Sequence, residues 1–252
     1  MRTNRRCLSS FFLRAMLAAM PRLPIILAAP SANCGKTQLA CRLVAALGAQ
    51  ALKITRFHRE SHCPVHGVNE TGQDNCDGCA PAPAGFELVT DPAVLHTPGK
   101  DTDLLAKAGA DPVLWLRAAP HVFAYALAAA LKRLDAERPL VIEGNSAATV
   151  SGQPGKVVLI WPQNTRGVKA SVLPALKRAD VLVLVEAESE PKRRWPKTLL
   201  SALGRVGMNA SDLPAPVWFC ANWWTEAGSN ASDKVLQRLE SAGTRESPKL
   251  CE

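Results

Sequence analysis

Several features that would assign this 252-residue chain to a special class are missing from its sequence. No stretch reaches the roughly 18 uncharged apolar residues that a membrane-spanning helix needs, and neither a low-complexity tract nor an internal repeat is visible. The net charge is +8, but the basic residues are scattered or paired and form no long block. This distribution favours anionic ligands and disfavours nucleic acid as a partner. We therefore expect a globular protein of the cytoplasm without a membrane segment.

The N-terminal residues resemble a secretion signal only in part. Three arginines precede an apolar stretch, but Arg14 divides that stretch, and the first buried strand begins soon after it. Met16 or Met20 would start the chain just before this strand. We interpret residues 1–21 as an N-terminal extension or a misassigned start. We expect one domain over residues 22–245 and a disordered tail at 246–252.

Strand-like and helix-like patterns alternate along most of the chain. Short, continuous apolar runs are typical of strands that are buried on both faces, and segments with apolar residues at helical spacing lie between most of these runs. Such alternation predicts an α/β fold in which a mostly parallel sheet is flanked by helices. The predicted strands are 23–29, 51–55, 86–90, 113–118, 139–144, 156–161, 180–187 and 215–222.

The first apolar run leads into a segment that is typical of a phosphate-binding loop. The segment ends in Gly-Lys-Thr, as a P-loop does: backbone N–H groups hold the β-phosphate, the lysine reaches the β and γ oxygens, and the hydroxyl binds Mg²⁺. Pro30 stands where the usual first glycine would be. Because proline fixes φ and lacks an N–H, we expect the turn that leaves the strand to differ. The predicted nucleotide-binding residues of this loop are Ser31, Ala32, Asn33, Cys34, Gly35, Lys36, Thr37 and Gln38.

Two acidic residues are candidates to complete a Mg²⁺ site with Thr37. Glu143 ends an apolar strand, where a carboxylate is costly unless it faces a cation or water. It is either a metal ligand or a strand-end carboxylate turned to solvent. Asp101 begins a predicted helix and is either the helix N-cap or a residue that reaches the metal or the attacking water. We predict Lys36 and Asp101 as catalytic residues, and Thr37 and Glu143 as Mg²⁺ ligands.

The residue that recognises the base is less well defined by the sequence. Asn222 ends the last apolar run, at the edge where α/β sheets bind ligands, and it either reads a purine edge or serves as a turn residue. The Asn-Lys-x-Asp guanine signature is absent, so the choice between GTP and ATP stays open. No arginine finger is evident, and Arg56 and Arg59 are the candidates for one. We therefore expect slow turnover.

Residues 56–85 interrupt the alternation with a segment rich in cysteine, histidine, glycine and proline. Cys63-x-x-His66 is followed, after nine residues, by Cys76-x-x-Cys79. Each pair can chelate from one tight turn, and four such ligands suit tetrahedral Zn²⁺. An Fe–S cluster is the alternative, although such clusters more often use four thiolates. The eight cysteines of the chain do not have the spacing of a disulfide framework, which favours a metal site.

The insert has two possible roles. A loop of this length without its own core needs something to tie it down, and a structural zinc would do so. Alternatively, the site senses or carries a metal near the nucleotide, because it follows the second predicted strand. His58 and His62 are additional ligand candidates.

Together these residues resemble the molybdopterin-guanine dinucleotide biosynthesis adaptor proteins of the MobB type. The resemblance covers roughly residues 22–146 and implies a P-loop fold of the GTPase-like kind. It also implies weak GTP hydrolysis, homodimers, and help in attaching a nucleotide to the molybdenum cofactor. The matching segments are PSANCGKTQLACRLV, ALKITRFHR, PGKDTDLLAKAGADPVLWL and LVIEGNS.

The chain departs from that family at Pro30, in the Cys/His insert, and in the longer part that follows residue 147. The leading hypothesis is a Mg²⁺-dependent nucleotide-binding protein, with GTP favoured over ATP, that works with molybdopterin and a cofactor-synthesis enzyme. P-loop metallochaperones combine a P-loop with Cys/His ligands and are the first alternative. A module that binds nucleotide and zinc without turnover is the second.

Overall fold

The computed structural model describes residues 23–56, 85–152, 154–186, 193–220 and 231–242. Eight strands in these residues form one sheet. They are β1 Ile25–Ala28, β2 Gln50–Arg56, β3 Phe86–Val89, β4 Val113–Ala118, β5 Leu140–Glu143, β6 Lys156–Pro162, β7 Ala179–Val185 and β8 Val217–Phe219. Their order is β3-β4-β2-β5-β1-β6-β7-β8, and every neighbouring pair is parallel except the antiparallel pair of β3 and β4.

Seven α-helices of the described residues accompany the sheet. They are α1 Lys36–Leu47, α2 Pro92–Leu95, α3 Asp101–Lys107, α4 Phe123–Leu131, α5 Leu173–Arg178, α6 Lys197–Arg205 and α7 Ala231–Ser241. Buried residues of α1, α3 and α7 pack on one face of the sheet, and those of α4, α5 and α6 pack on the other. The predicted α/β fold, a mostly parallel sheet flanked by helices, is therefore confirmed.

The continuous apolar runs arise because the central strands are covered on both faces. In β1, Ile26 and Ala28 face one hydrophobic core, whereas Ile25 and Leu27 face the other. All four side chains are buried, and burying one such large aliphatic side chain contributes about 1.5–3 kcal/mol. Because neither side of such a strand faces water, its sequence shows no alternation of polar and apolar residues.

The observed elements are mostly shorter than the predicted ones. The last strand, predicted over 215–222, spans only Val217–Phe219, next to Pro216, which has no N–H for a strand ladder. The predicted N-terminal extension, most of the Cys/His insert and the C-terminal tail lie outside the described residues. Among the residues that are described, no helix is long and apolar enough to cross a membrane.

Candidate functional site

The loop after β1 curls tightly into the first turn of α1. Asn33 has φ 56° and Gly35 has φ 85°, so both lie in the left-handed region that favours glycine and tolerates asparagine. Gly35 precedes the helix as its N-cap, and its carbonyl accepts the N–H of Leu39 at 3.0 Å. The first N–H groups of a helix have no partner within the helix and carry a partial positive charge. The loop therefore places a helix start, which is a type of site that can bind anions, at the carboxyl edge of the sheet.

The exit from β1 is held by residues that follow two other strands. The Asn145 side chain accepts the N–H of Ala29 at 2.9 Å and donates to the carbonyl of the same residue at 2.8 Å. The same amide also donates to the Ser171 hydroxyl at 3.2 Å, and the backbone N–H of Lys169 donates to the carbonyl of Pro30 at 2.9 Å. These bonds fix the turn at the position where the usual glycine is replaced.

Lys36 folds back over the loop. Its ammonium donates to the carbonyl of Ser31 at 3.0 Å. Burial lowers the pKa of Lys36 below its ordinary value, Glu143 opposes this shift, and the nearby ammonium of Lys53 adds to it. If an anion replaces the carbonyl as the acceptor, the hydrogen bond from the ammonium becomes stronger.

The other predicted loop residues are divided between the surface and the interior. Ala32, Asn33 and Gln38 are exposed. Cys34 is buried, and its sulfur lies 3.1 Å from the hydroxyl oxygen of Ser31. The exposed residues leave the outer side of the loop accessible, while Cys34 anchors it to the core.

Thr37, Asp101 and Glu143 meet at the start of α1. The Thr37 hydroxyl oxygen lies 3.0 Å from Asp101 Oδ1 and 3.0 Å from Glu143 Oε1. A hydroxyl has one hydrogen to donate, so two carboxylates compete for it. Glu143 is only 1% exposed and is not turned to solvent. The N-cap of α3 is Lys100, so Asp101 lies inside the first turn and its carboxylate reaches the cluster.

Lys53 is a fourth member of this cluster, and it connects the two carboxylates. Its ammonium lies 2.7 Å from Glu143 Oε1 and also donates to Asp101 Oδ2. Burial would lower the pKa of Lys53, but the two carboxylates outweigh it and hold that pKa above its ordinary value. Burial would likewise raise the pKa of Asp101, but Lys53 outweighs it and holds that pKa below its ordinary range.

The parallel register explains how Lys53 reaches the cluster. Residue 53 of β2 lies directly beside residue 143 of β5, and laterally paired residues of neighbouring strands point to the same face of a sheet. The motifs of the sequence did not select Lys53. Its signal was a lysine between the apolar residues Leu52 and Ile54 of a strand, because a buried ammonium requires an anionic partner.

The donor atoms of the cluster fit Mg²⁺. Mg²⁺ prefers hard oxygen ligands, and the Thr37 hydroxyl and two carboxylates supply them. Glu143 Oε2 is buried and has no hydrogen-bond partner within the described residues, so a cation there would satisfy it. No group of three or more His, Cys, Asp and Glu in that part of the chain could hold a metal. Mg²⁺ usually keeps several waters and takes phosphate oxygens as further ligands, and these would complete the coordination.

Several predicted site residues lie outside the described residues, so their placement stays a prediction. They are Asn222 and the insert residues His58, Arg59, His62, Cys63, His66, Cys76 and Cys79. Arg56, the last residue of β2, is described. Its guanidinium lies 5.8 Å from the ring centre of Phe123, and its buried Nε has no hydrogen-bond partner in the described chain.

Comparison with known proteins yields distant structural likenesses. No protein-family model and no curated protein matches this sequence. The chain is similar to the hydrogenase maturation factor HypB from Archaeoglobus fulgidus, with 12% identity and a TM-score of 0.42, over 92% of this chain and 95% of that one. It is also similar to LpxK from Aquifex aeolicus in complex with ATP, with 14% identity and a TM-score of 0.37, over 92% and 88%. At these scores, neither likeness bears on the family or the activity of this chain.

Proposed function

We propose that this protein binds a nucleoside triphosphate together with Mg²⁺ and hydrolyses it slowly. The observation that carries the proposal is the meeting of Thr37, Asp101 and Glu143 at the amino end of α1, directly after a loop with left-handed Asn33 and Gly35. A phosphate loop, a hydroxyl and a buried carboxylate in this arrangement are the parts that P-loop proteins use to hold a metal–nucleotide complex.

The phosphates would be held by the amino end of α1 and by Lys36. Backbone N–H groups of the loop and the first helical turn donate to phosphate oxygens. The Lys36 ammonium, which donates to the Ser31 carbonyl, would exchange that neutral acceptor for a charged one. Such charge-assisted bonds are roughly twice as strong as neutral ones.

Thr37 and Glu143 would hold Mg²⁺ between the protein and the phosphates. An ion held by these two residues would supply positive charge to offset the negative charge that develops on the transferred phosphoryl group. The two carboxylates differ in access to water: the Asp101 side chain is 44% exposed, and that of Glu143 is 1% exposed. We therefore assign Asp101 to orienting the attacking water through a hydrogen bond.

Two biological roles fit this activity. The first is molybdenum-cofactor maturation with GTP, supported by the resemblance of residues 22–146 to the MobB-type adaptors. The second is metal delivery to an enzyme. It is favoured by the position of the Cys/His segment, which begins directly after β2, the strand that carries Lys53 into the cluster. A metal bound in that segment would be close along the chain to the nucleotide site.

The test of nucleotide binding uses the full-length protein and fluorescent GTP and ATP, with and without Mg²⁺. We expect Lys36→Ala to weaken binding about 10- to 100-fold, as removal of a hydrogen bond to a charged group does. The matched control is Lys177→Ala, because Lys177 is an exposed lysine on α5. Absence of binding by the native protein, or equal binding by Lys36→Ala, would refute the proposal.

The two roles are separated by metal analysis of the same preparation. Elemental analysis identifies the metal in the Cys/His segment, and a chelator titration with and without GTP tests whether nucleotide changes its retention. Metal release that depends on nucleotide supports delivery. Tight retention of the metal that is the same with and without nucleotide, together with binding of molybdopterin, supports the cofactor role.

A further inference from the structure

The Lys53 ammonium lies next to the oxygen atoms that fit a metal cation. This ammonium contacts a carboxylate oxygen of both Asp101 and Glu143, and the Thr37 hydroxyl contacts the same two carboxylates. One positive charge thus lies among the oxygen atoms that fit Mg²⁺. The Lys53 side chain is 16% exposed and that of Glu143 is 1% exposed, so the contact between these two is largely shielded from water and from salt.

The charges of the cluster are already balanced before any ligand binds. The two carboxylates carry two negative charges, and the Lys53 ammonium within the cluster and the Lys36 ammonium beside it carry two positive charges. A divalent cation entering this neutral cluster meets the repulsion of Lys53 at close range, which a partly buried position strengthens. A nucleoside triphosphate changes this balance, because its phosphates bring several negative charges to the same place.

Resting on the proposed function, we infer that Lys53 is a built-in cation that excludes Mg²⁺ from the carboxylate pair until a nucleotide is bound. In the nucleotide-bound state, the Lys53 ammonium would donate to the phosphates. Glu143 would then be available to bind the metal. Lysine suits this exchange because its ammonium is a point charge on a flexible four-carbon stem. Lys53 is a positioning residue in this scheme: it acts on Mg²⁺ through the carboxylates that it occupies.

A purely structural ion pair would behave differently. Removing such a pair lowers stability, because it leaves buried carboxylates without a cation, but it gives no reason for nucleotide-free protein to start binding Mg²⁺. The readout that separates the two roles is therefore Mg²⁺ binding in the absence of nucleotide, and it does not involve enzymatic activity.

The experiment measures Mg²⁺ affinity by calorimetry on full-length, nucleotide-free protein. The variants are Lys53→Met, Lys53→Gln and Lys53→Arg. The matched control is Lys107→Met, which removes a lysine that is paired with Asp103 at 2.8 Å on the same helix as Asp101. We expect at least tenfold tighter Mg²⁺ binding in Lys53→Met and Lys53→Gln. Lys53→Arg and Lys107→Met should bind as weakly as the wild type.

The same variants should show the opposite change with nucleotide. Lys53→Met should bind Mg²⁺–GTP more weakly, because the phosphates lose a cationic partner. Unchanged Mg²⁺ affinity in both neutral variants, with nucleotide binding intact, would overturn this inference alone, whereas a wild type that binds no nucleotide would overturn the proposed function. If neither neutral variant folds, the Mg²⁺ affinity of the wild type tests the inference. Mg²⁺ binding that is equally tight with and without nucleotide overturns it. Mg²⁺ binding that requires nucleotide supports it.

Discussion

Two buried glutamates at the carboxyl edge of the sheet differ in their surroundings. Glu143 ends β5 and is 1% exposed, and Glu186 follows β7 and is 4% exposed. Each has one carboxylate oxygen without a hydrogen-bond partner among the described residues. The other oxygen of Glu143 meets the Thr37 hydroxyl and the Lys53 ammonium, whereas that of Glu186 accepts the backbone N–H of Arg193 at 2.6 Å.

The difference between these glutamates shows that burial of an acid is not enough to indicate a metal site. Glu186 is held by the backbone of a residue with φ 48°, an arrangement that stabilises a loop. Glu143 lies where a phosphate loop, a helix start and a second carboxylate also meet. The proposed metal site at Glu143 rests on that meeting of groups, and the predictions below test the surroundings of Glu143.

The largest effect is expected from exchanging each carboxylate for an amide. Glu143→Gln should weaken Mg²⁺-dependent binding of GTP by more than about 100-fold, because loss of a metal ligand exceeds the roughly 10–100-fold effect of outer-shell changes. Glu186→Gln should leave this affinity unchanged. Fluorescent GTP titrations with and without Mg²⁺ measure both. An equal loss in the two variants would mean that the two glutamates do not differ in role.

A smaller effect is expected from a methyl group in the backbone turn after Glu143. Gly144 has φ 154°, and a Cβ there would lie 2.8 Å from the Cβ of Ile54. Gly144→Ala should therefore lower the free energy of unfolding by about 2–5 kcal/mol, which combines overpacking with backbone strain. Urea denaturation measures it through the midpoint.

The matched control for that variant is Gly207→Ala. Gly207 has φ 69°, but a Cβ there would meet nothing within 4 Å. Only the left-handed backbone conformation then disfavours alanine, and it should lower the free energy of unfolding by about 1–2 kcal/mol. Equal costs at the two positions would show that the contact with Ile54 does not constrain the turn after the glutamate.

The smallest expected effect is on the stability of the protein at low pH. The pKa of Asp101 lies below its ordinary value of 3.8, so its ion pair stabilises the fold fully above that value and less as the pH falls below it. Replacing Asp101 by Asn should remove this part of the acid sensitivity, by less than about 1 kcal/mol, because a 44% exposed side chain is screened by water. Urea unfolding at neutral and acidic pH measures it, and identical pH profiles would count against the ion pair.

The sequence was sufficient to predict the features that are local along the chain. The apolar run before Pro30 predicted β1, and the Gly-Lys-Thr ending predicted the start of α1 at Lys36. Whether Asp101 caps its helix or turns to Thr37 depends on where α3 begins, and element boundaries are the least certain part of a sequence-based prediction.

The sequence analysis assigned Thr37, Asp101 and Glu143 to one site, but it did not predict the contacts that Lys53 and Asn145 make with distant segments. Lys53 reaches Glu143 because β2 and β5 pair in one particular register, and residues 90 positions apart give no local signal of that pairing. The same holds for Asn145, which holds the exit of β1 from a position 116 residues away. Such contacts depend on the order of strands in the sheet, which local patterns do not determine.

The hydrogen bonds that Asn145 and Lys169 make with Ala29 and Pro30 have a consequence for the affinity of the loop for the proposed nucleotide. Three hydrogen bonds fix this part of the backbone within the fold itself, and proline narrows its freedom further even in the unfolded chain. The conformational entropy of ordering the turn is therefore lost during folding and not during association. A loop that is preorganised in this way leaves more of the contact energy available as affinity. In the proposed function, Pro30 would therefore favour nucleotide binding, although it replaces the usual glycine of the motif.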